Sequence, residues 1–210
     1  MILEVKNVSK KFKDIEILKK VNIKFESGKI YGIIGRNGSG KSVFLKILCG
    51  FYQPTTGNVF YDGVDIVKND IFPPNTRALI EKPHFLPDLT GLENLKLLAS
   101  IQKKIGIDEI EKYLKLLNMF DEKDKKFSKY SLGTKQKLGL VQVLMEDPKV
   151  IILDEPLNGI ENKTAKKFRE IMKKEKNKGK IIIIASHIKD DIEELADEIY
   201  EVDDGNFIKK

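Results

Sequence analysis

A glycine-rich segment between a strand-like run and a helix-like run constrains the fold of this chain most. It reads Gly35, Arg36, Asn37, Gly38, Ser39, Gly40, Lys41 and Ser42, which fits the pattern G-x-x-x-x-G-K-[ST]. A run rich in β-branched isoleucine, residues 30–34, precedes it, and residues 41–48 have helical character. A strand, a glycine turn and a helix in this order point backbone N–H groups and the positive end of a helix dipole at one place. The segment therefore predicts a phosphate-binding loop within an α/β fold.

Two later apolar runs also end in polar residues. Residues 150–153 lead into Asp154 and Glu155, and residues 181–185 lead into a serine and His187. Continuous apolar strands are typical of a parallel sheet that is covered on both faces. Ligands of such sheets bind beyond the carboxyl ends of the strands. We therefore expect Lys41, Asp154, Glu155 and His187 to meet in one crevice.

The residue types in this crevice indicate hydrolysis of ATP in the presence of Mg²⁺. Lys41 is placed to reach the β and γ phosphates, and the Ser42 hydroxyl and Asp154 are the expected Mg²⁺ ligands. Glu155 is the expected general base for the attacking water. His187 is placed to donate a hydrogen bond to the γ phosphate. Acidic residues often end strands, so Asp154 and Glu155 are informative only together with the phosphate-binding loop.

The remaining periodicities divide the chain into an α/β part and a helical insertion. Short strands are predicted at 2–8, 21–25 and 30–34, with a hairpin of 58–61 and 65–67 around Asp62-Gly63. Residues 92 to about 145 have helical periods, including the stripe at 92, 95, 98 and 101. After the strand at 150–153, helices are predicted from about Glu161 and over 188–196, with a last hairpin near Asp204-Gly205. The 210 residues suit one domain, 1–210.

Composition narrows the setting in which the chain works. No apolar run approaches the roughly 18 residues that span a bilayer, and the N-terminus lacks the pattern of a secretory leader. Cys49 is the single cysteine, so no intrachain disulfide can form, and a reducing cytoplasm is expected. The net charge of +6 could indicate a nucleic-acid partner. The lysines are spread along the chain, however, and in 165–180 they lie opposite an apolar stripe, so we expect a solvated face and no nucleic acid.

These motifs, in this order, resemble the ATP-binding cassette of ABC transporters over essentially the whole chain. The family's signature, Leu-Ser-Gly-Gly-Gln in most members, corresponds here to residues 130–134, where Ser131 and Gly133 match. The resemblance implies a P-loop NTPase core with a mostly parallel sheet, an N-terminal antiparallel β subdomain and an α-helical subdomain inserted at about 84–145. It also implies a head-to-tail dimer in which Ser131 and Gly133 contact the ATP held by the other subunit.

Further positions are carried over from the family one at a time. Phe12 aligns with the aromatic residue that stacks on adenine, although it could equally be a core residue. Glu81 stands where most members have the glutamine of the Q-loop, and it could ligate Mg²⁺ or position water. Glu161 replaces the usual aspartate of the D-loop, which puts the usual cross-dimer contact in question. Glu81 and its neighbours 78–83 resemble the bacitracin and lantibiotic export branch of the family.

The resemblance implies an ATPase subunit that uses ATP and Mg²⁺ and drives transport, by our expectation export, through a separate membrane permease. Such a subunit would be peripheral, on the cytoplasmic side of the cell membrane, and paired with a second ATPase subunit. Two alternatives remain open at this point. The chain could be a single-cassette ATPase of a cytosolic assembly machine. It could also be a weakly hydrolysing partner in a heterodimeric transporter, which its altered signature would suit.

Overall fold

The computed structural model describes residues 1–210, which form two β-sheets and six α-helices. The strands are β1 (Ile2–Phe12), β2 (Ile15–Glu26), β3 (Lys29–Gly35), β4 (Thr56–Tyr61), β5 (Val64–Asp65), β6 (Thr76–Leu79), β7 (Val150–Asp154), β8 (Ile181–Ser186), β9 (Glu198–Asp203) and β10 (Asn206–Lys209). The helices are α1 (Lys41–Leu48), α2 (Gly91–Gln102), α3 (Ile107–Leu116), α4 (Leu132–Leu144), α5 (Asn162–Asn177) and α6 (Lys189–Glu193). None of these helices has the length and apolar character needed to cross a bilayer.

The larger sheet has the strand order β10-β9-β3-β8-β7-β6, and only β10 is antiparallel to its neighbour. Every residue of β7 and β8 is buried. Alternate side chains of β7 enter two different cores, with Ile151 and Leu153 in one and Val150 and Ile152 in the other. Both faces of these strands are therefore covered, which explains why their sequences are apolar without alternation.

The smaller sheet is antiparallel, with the order β2-β1-β4-β5. Its apolar side chains join the core on one face of the larger sheet. Helices α2, α3 and α4 pack into the core on the opposite face. The predicted fold class is confirmed: a mostly parallel sheet, an N-terminal antiparallel sheet and a helical segment between β6 and β7.

The helical segment has its first helix at Gly91, one residue before the start of the predicted helical periods, and residues 84–89 before it form loops and turns. Helix α2 begins at a capping box, in which the Thr90 hydroxyl accepts from the backbone N–H of Glu93 and the Glu93 carboxylate accepts from that of Thr90. This reciprocal pair satisfies two free N–H groups and sets the start of the helix. The predicted stripe fails at its end, since Ile101 is 74% exposed and Ala99 is buried in the core.

Several other elements differ from the sequence-based expectation, among them β1, which continues to Phe12 instead of ending at 8. Strand β2 begins at Ile15, before the expected 21, because its first part is held by pairing with the end of β1 rather than by its own apolar pattern. Strand β6 was not predicted, because it is short, pairs only with β7 and contains Thr76 and Arg77. Helix α6 has five residues, from Lys189 to Glu193, instead of the nine expected over 188–196.

Candidate active site

The glycine-rich loop joins β3 to α1 and has backbone angles that only glycine adopts easily. Gly38 and Gly40 have φ of 82° and 105°. A Cβ atom at Gly40 would lie 2.9 Å from the carbonyl oxygen of Ile17, so the loop also packs too closely for a side chain there. The amino group of Lys41 folds back and donates to the carbonyl oxygens of Gly35 and Arg36, at 2.6 and 3.1 Å. The loop thus forms a compact cradle at the N-terminus of α1.

Ser42 and Asp154 are in direct contact although they are 112 residues apart in the chain. The Ser42 hydroxyl donates to Oδ2 of Asp154 at 2.5 Å. Asp154 is 5% exposed, and this burial raises the pKa of its carboxyl. Burial likewise lowers the pKa of the Lys41 amino group. Both shifts arise because the low dielectric of the crevice penalises an unpaired charge.

The donor set suits Mg²⁺. A serine hydroxyl and a carboxylate are hard oxygen ligands, and a site with few protein ligands matches the preference of Mg²⁺ for phosphate and water oxygens in the remaining positions. Ser39 adds a buried hydroxyl oxygen without a hydrogen-bond partner in the same loop. The crevice therefore has the chemistry for a phosphate group and a divalent cation together.

Glu155 has its carboxylate fixed by the residues that follow β8. One oxygen accepts from the Ser186 hydroxyl at 3.1 Å. The other accepts from the backbone N–H of His187 at 2.9 Å and lies 2.8 Å from Nδ1 of the same imidazole. Sequence reasoning did not assign Ser186 a role. The only local signal was a serine next to His187 at the end of an apolar strand.

A cavity of about 460 Å³ brings most of the predicted residues together. Its lining includes the expected Asn37, Gly38, Gly40, Lys41, Ser42, Glu81, Asp154 and Glu155. It also includes residues that sequence reasoning did not assign to the site: Ile17, Val43, Lys82, Leu132, Gln136 and Asn158. His187 and Phe12 are outside this lining. His187 reaches the site through Glu155.

Glu81 and Phe12 lie in a chain of contacts beside the cavity. Glu81 has a left-handed backbone, with φ of 63°, and its carboxylate accepts from the Lys46 amino group at 2.5 Å. The Lys46 amino group also lies over the ring of Tyr52. The Phe12 ring is 42% exposed and packs edge-on against Tyr52, with centroids 5.7 Å apart. The roles of Glu81 as a Mg²⁺ ligand and of Phe12 as an adenine platform stay predictions.

Ser131 and Gly133 lie in a different groove, which Glu161 and Thr164 also line. The Ser131 hydroxyl caps α4 by accepting from the backbone N–H of Thr134 at 3.2 Å. Of the residues in this groove, only Leu132 also lines the larger cavity. This separation suits the expectation that Ser131 and Gly133 act on a nucleotide held by another subunit.

Sequence comparisons identify close relatives of the chain. A family described as "ABC transporter" matches residues 18–158. The "Bacitracin transport ATP-binding protein BcrA" of Enterococcus faecalis is 35% identical over 100% of this chain and 68% of its own length. The "Lantibiotic transport ATP-binding protein SrtF" of Streptococcus pyogenes is 35% identical over 99% of this chain and 89% of its own length.

Solved structures agree with these relatives. A structure described as the ATP binding subunit of an ABC transporter superposes with a TM-score of 0.90, at 25% identity, and covers 100% of this chain and 90% of the other. An ATP-binding cassette in its ADP conformation superposes with a TM-score of 0.83 at 27% identity, over 99% of this chain and 89% of the other. The expected family is confirmed. The chain belongs to the ABC transporter family, in which it is an ATP-binding and ATP-hydrolysing subunit.

Proposed function

We propose that the chain is the Mg²⁺-dependent ATPase of an exporter of antimicrobial peptides, and that it works as a dimer on a separate permease at the cytoplasmic face of the membrane. The observation that carries the proposal is the convergence of the Lys41–Ser42 loop with Asp154 and Glu155 at one cavity. The relatives named for bacitracin and lantibiotic transport support the class of cargo.

The phosphates of ATP would be held by the loop between β3 and α1. The backbone N–H groups of this loop and the N-terminus of α1 offer donors and a positive dipole. The Lys41 amino group, which now donates to two carbonyl oxygens, would exchange them for phosphate oxygens. Ser42 and Asp154 would hold Mg²⁺, which when bound supplies positive charge to offset the charge of the phosphates. The burial of Asp154 makes that neutralisation favourable.

Glu155 would orient and deprotonate the attacking water. Its carboxylate keeps a fixed direction because Ser186 and His187 donate to it. The Oε2 atom accepts from Ser186 alone and keeps a lone pair with which to accept from water. His187, held against Glu155, would turn its other ring nitrogen to the γ phosphate. The loss of one preorganised group of this kind usually costs about 10² to 10³ in rate.

Partner contacts would use two surfaces. Ser131 and Gly133 would close on the nucleotide of a second subunit, with the exposed N-terminus of α4 offering an anion-binding end. The permease would dock beside Glu81 and the helical segment. Two exposed phenyl rings, Phe51 and Phe72, pack edge-on with centroids 6.1 Å apart, and the backbone N–H of Phe51 donates to the carbonyl oxygen of Lys46, whose side chain contacts Glu81. An exposed apolar pair of this kind favours a protein partner.

The substitution Glu155→Gln tests the catalytic assignment. It keeps the shape of the side chain and removes the base, so we expect ATP binding to be retained and phosphate release to fall about 10² to 10³-fold. Binding is measured by titration with ATP and Mg²⁺, and turnover by phosphate release. Glu170→Gln, on the exposed face of α5, is the matched control and should keep normal turnover. Undiminished phosphate release by Glu155→Gln would contradict the assignment of Glu155 as the general base.

The transport part of the proposal needs a cellular test. Cells that express the chain with a candidate permease should survive bacitracin or a lantibiotic better than cells that express the same permease with the Glu155→Gln variant. The wild-type protein should also be recovered with membranes. Equal sensitivity of the two strains to all such peptides would contradict the proposed cargo. Robust ATPase activity of the purified chain alone would show that it needs no second, different cassette.

A further inference from the structure

One face of α4 lies along the loop that carries Glu155. A Cβ atom at Gly133 would be 2.4 Å from the carbonyl oxygen of Gly159, so the helix and the loop touch backbone to backbone there. Gln136, three residues further along α4, donates from Nε2 to the carbonyl oxygens of Glu155 and Pro156, at 3.1 and 3.4 Å. Residues spaced by three lie on the same side of a helix. The loop is thus held to α4 at both of its ends.

The Glu155 backbone needs such support. Its φ is 48°, in the left-handed region that non-glycine residues rarely occupy. The backbone N–H donates to the carbonyl oxygen of Ala185 at 2.9 Å, and the carbonyl accepts from Gln136 and from the backbone N–H of Asn158, both at 3.1 Å. Both polar groups of the residue are therefore anchored to other elements. Strained conformations of this kind persist only where the surroundings determine them.

Gln136 is suited to this task because it is buried and its amide nitrogen carries two N–H donors, one for each carbonyl oxygen. Gln136 is only 5% exposed, so water competes poorly for the two carbonyl oxygens. Without the amide, the Glu155 carbonyl would keep only the N–H of Asn158, 3.1 Å away in its own loop, and no donor from α4 would hold the backbone against relaxation toward the right-handed region. That rotation would turn the carboxylate away from Ser186 and His187.

We infer that Gln136 is a positioning residue for ATP hydrolysis, which holds the Glu155 backbone in the conformation that aims its carboxylate. The inference rests on the proposed role of Glu155 as the base. It also connects two parts of the molecule, since Ser131 caps the same helix about 7.5 Å from Gln136 along the axis, at 1.5 Å per residue. Contact of the α4 N-terminus with a second subunit's nucleotide would therefore reach Glu155 through Gln136.

The variant Gln136→Met removes the donors and keeps the length of the side chain. We expect kcat to fall about tenfold to 100-fold, since small misplacements of a catalytic group have effects of this size. The dissociation constant of ATP should stay within about twofold, because the phosphate loop is untouched, and Tm of the nucleotide-free protein should change little. Gln142→Met, on the same helix and half-buried, is the matched control and should keep normal kcat.

The variant Gln136→Glu gives a second, independent readout. A protonated carboxyl can donate to the Glu155 carbonyl oxygen, whereas an ionised one would repel it, and burial raises the pKa of such a group. The ratio of variant to wild-type kcat should therefore rise as pH falls from about 8 to about 6. The titratable groups that line the same cavity or contact Glu155 are present in both proteins: Lys41, Glu81, Lys82, Asp154, Glu155 and His187. Gln142→Glu should show a flat ratio.

These results separate the inference from the proposed function. If Glu155→Gln is inactive but Gln136→Met keeps wild-type kcat, the inference is wrong and the role of Glu155 stands. If Tm of Gln136→Met falls by several degrees together with kcat, and the kcat ratio of Gln136→Glu to wild type does not change with pH, then Gln136 is only structural. If Glu155→Gln turns over normally, the proposed role of Glu155 fails first.

Discussion

Lys180 lies at the centre of a buried ionic network, and its replacement by methionine should destabilise the fold strongly. It directly precedes β8, and its side chain is 7% exposed. Its amino group contacts the carboxylate of Glu175 on α5, which is 5% exposed, and lies 2.6 Å from Oδ1 of Asp147 in the turn after α4. The network thus ties α4, α5 and β8 together at the end of the sheet opposite to the active site.

The size of the effect follows from what remains after Lys180→Met. Removing one partner of a buried ion pair usually costs about 3 to 5 kcal/mol, because the other charge is left uncompensated. Here Glu175 keeps a second partner, since the Lys178 amino group lies 2.7 Å from its other oxygen. We therefore expect about 3 kcal/mol, the lower end of the range. For a chain of this length that corresponds to a fall in Tm of about 6 to 12 °C.

The assay is urea denaturation of the nucleotide-free protein, followed by circular dichroism. Lys178→Met is the control, with a side chain that is 51% exposed, and it should cost less than about 1 kcal/mol. The double variant Glu175→Gln, Lys180→Met removes both buried charges and should be more stable than Lys180→Met. A loss below about 1 kcal/mol in Lys180→Met, or a double variant less stable than the single one, would refute the reasoning.

Two further predictions concern the active site and its flanking loop, and a third concerns pH. Asp154→Asn should raise Tm of the nucleotide-free protein, because burial penalises the charge of Asp154, as its raised pKa indicates. In the wild type, Tm should be higher with ATP and Mg²⁺ than with ATP alone, and thermal scans of the variant should show no such difference. Gly133→Ala should cost about 1 to 3 kcal/mol in urea denaturation, since its Cβ would lie 2.4 Å from the Gly159 carbonyl oxygen, and an unchanged midpoint would contradict this close contact. Lys180 lowers the pKa of Asp147, so the ion pair stabilises the fold above about pH 4, and this stabilisation is lost as pH falls through the lowered pKa. The difference in stability between wild type and Lys180→Met should therefore become smaller in acid denaturation curves below about pH 4.

Local patterns were enough for the elements that carry the glycine-rich loop and the acidic residues of the candidate site. The glycine loop, the helix after it and the apolar strands β7 and β8 were predicted because each is encoded by neighbouring residues. Strand ends then placed Lys41, Asp154 and Glu155 at one edge of the sheet, since parallel strands share the direction of their carboxyl ends. The short strand β6 and the first part of β2 could not be predicted, because their pairing partners hold them rather than their own sequences.

What the sequence by itself determined was the glycine-rich loop, the acidic residues at the strand ends, and the α/β order that carries them. Only the tertiary structure decided how those groups are aimed. The hydroxyl of Ser42 on Asp154, Ser186 and His187 on Glu155, and Gln136 behind the Glu155 carbonyl all join residues far apart in the chain. Hydrogen bonds of this kind depend on how α4, β7 and β8 pack against one another, and no local pattern of residues specifies that packing.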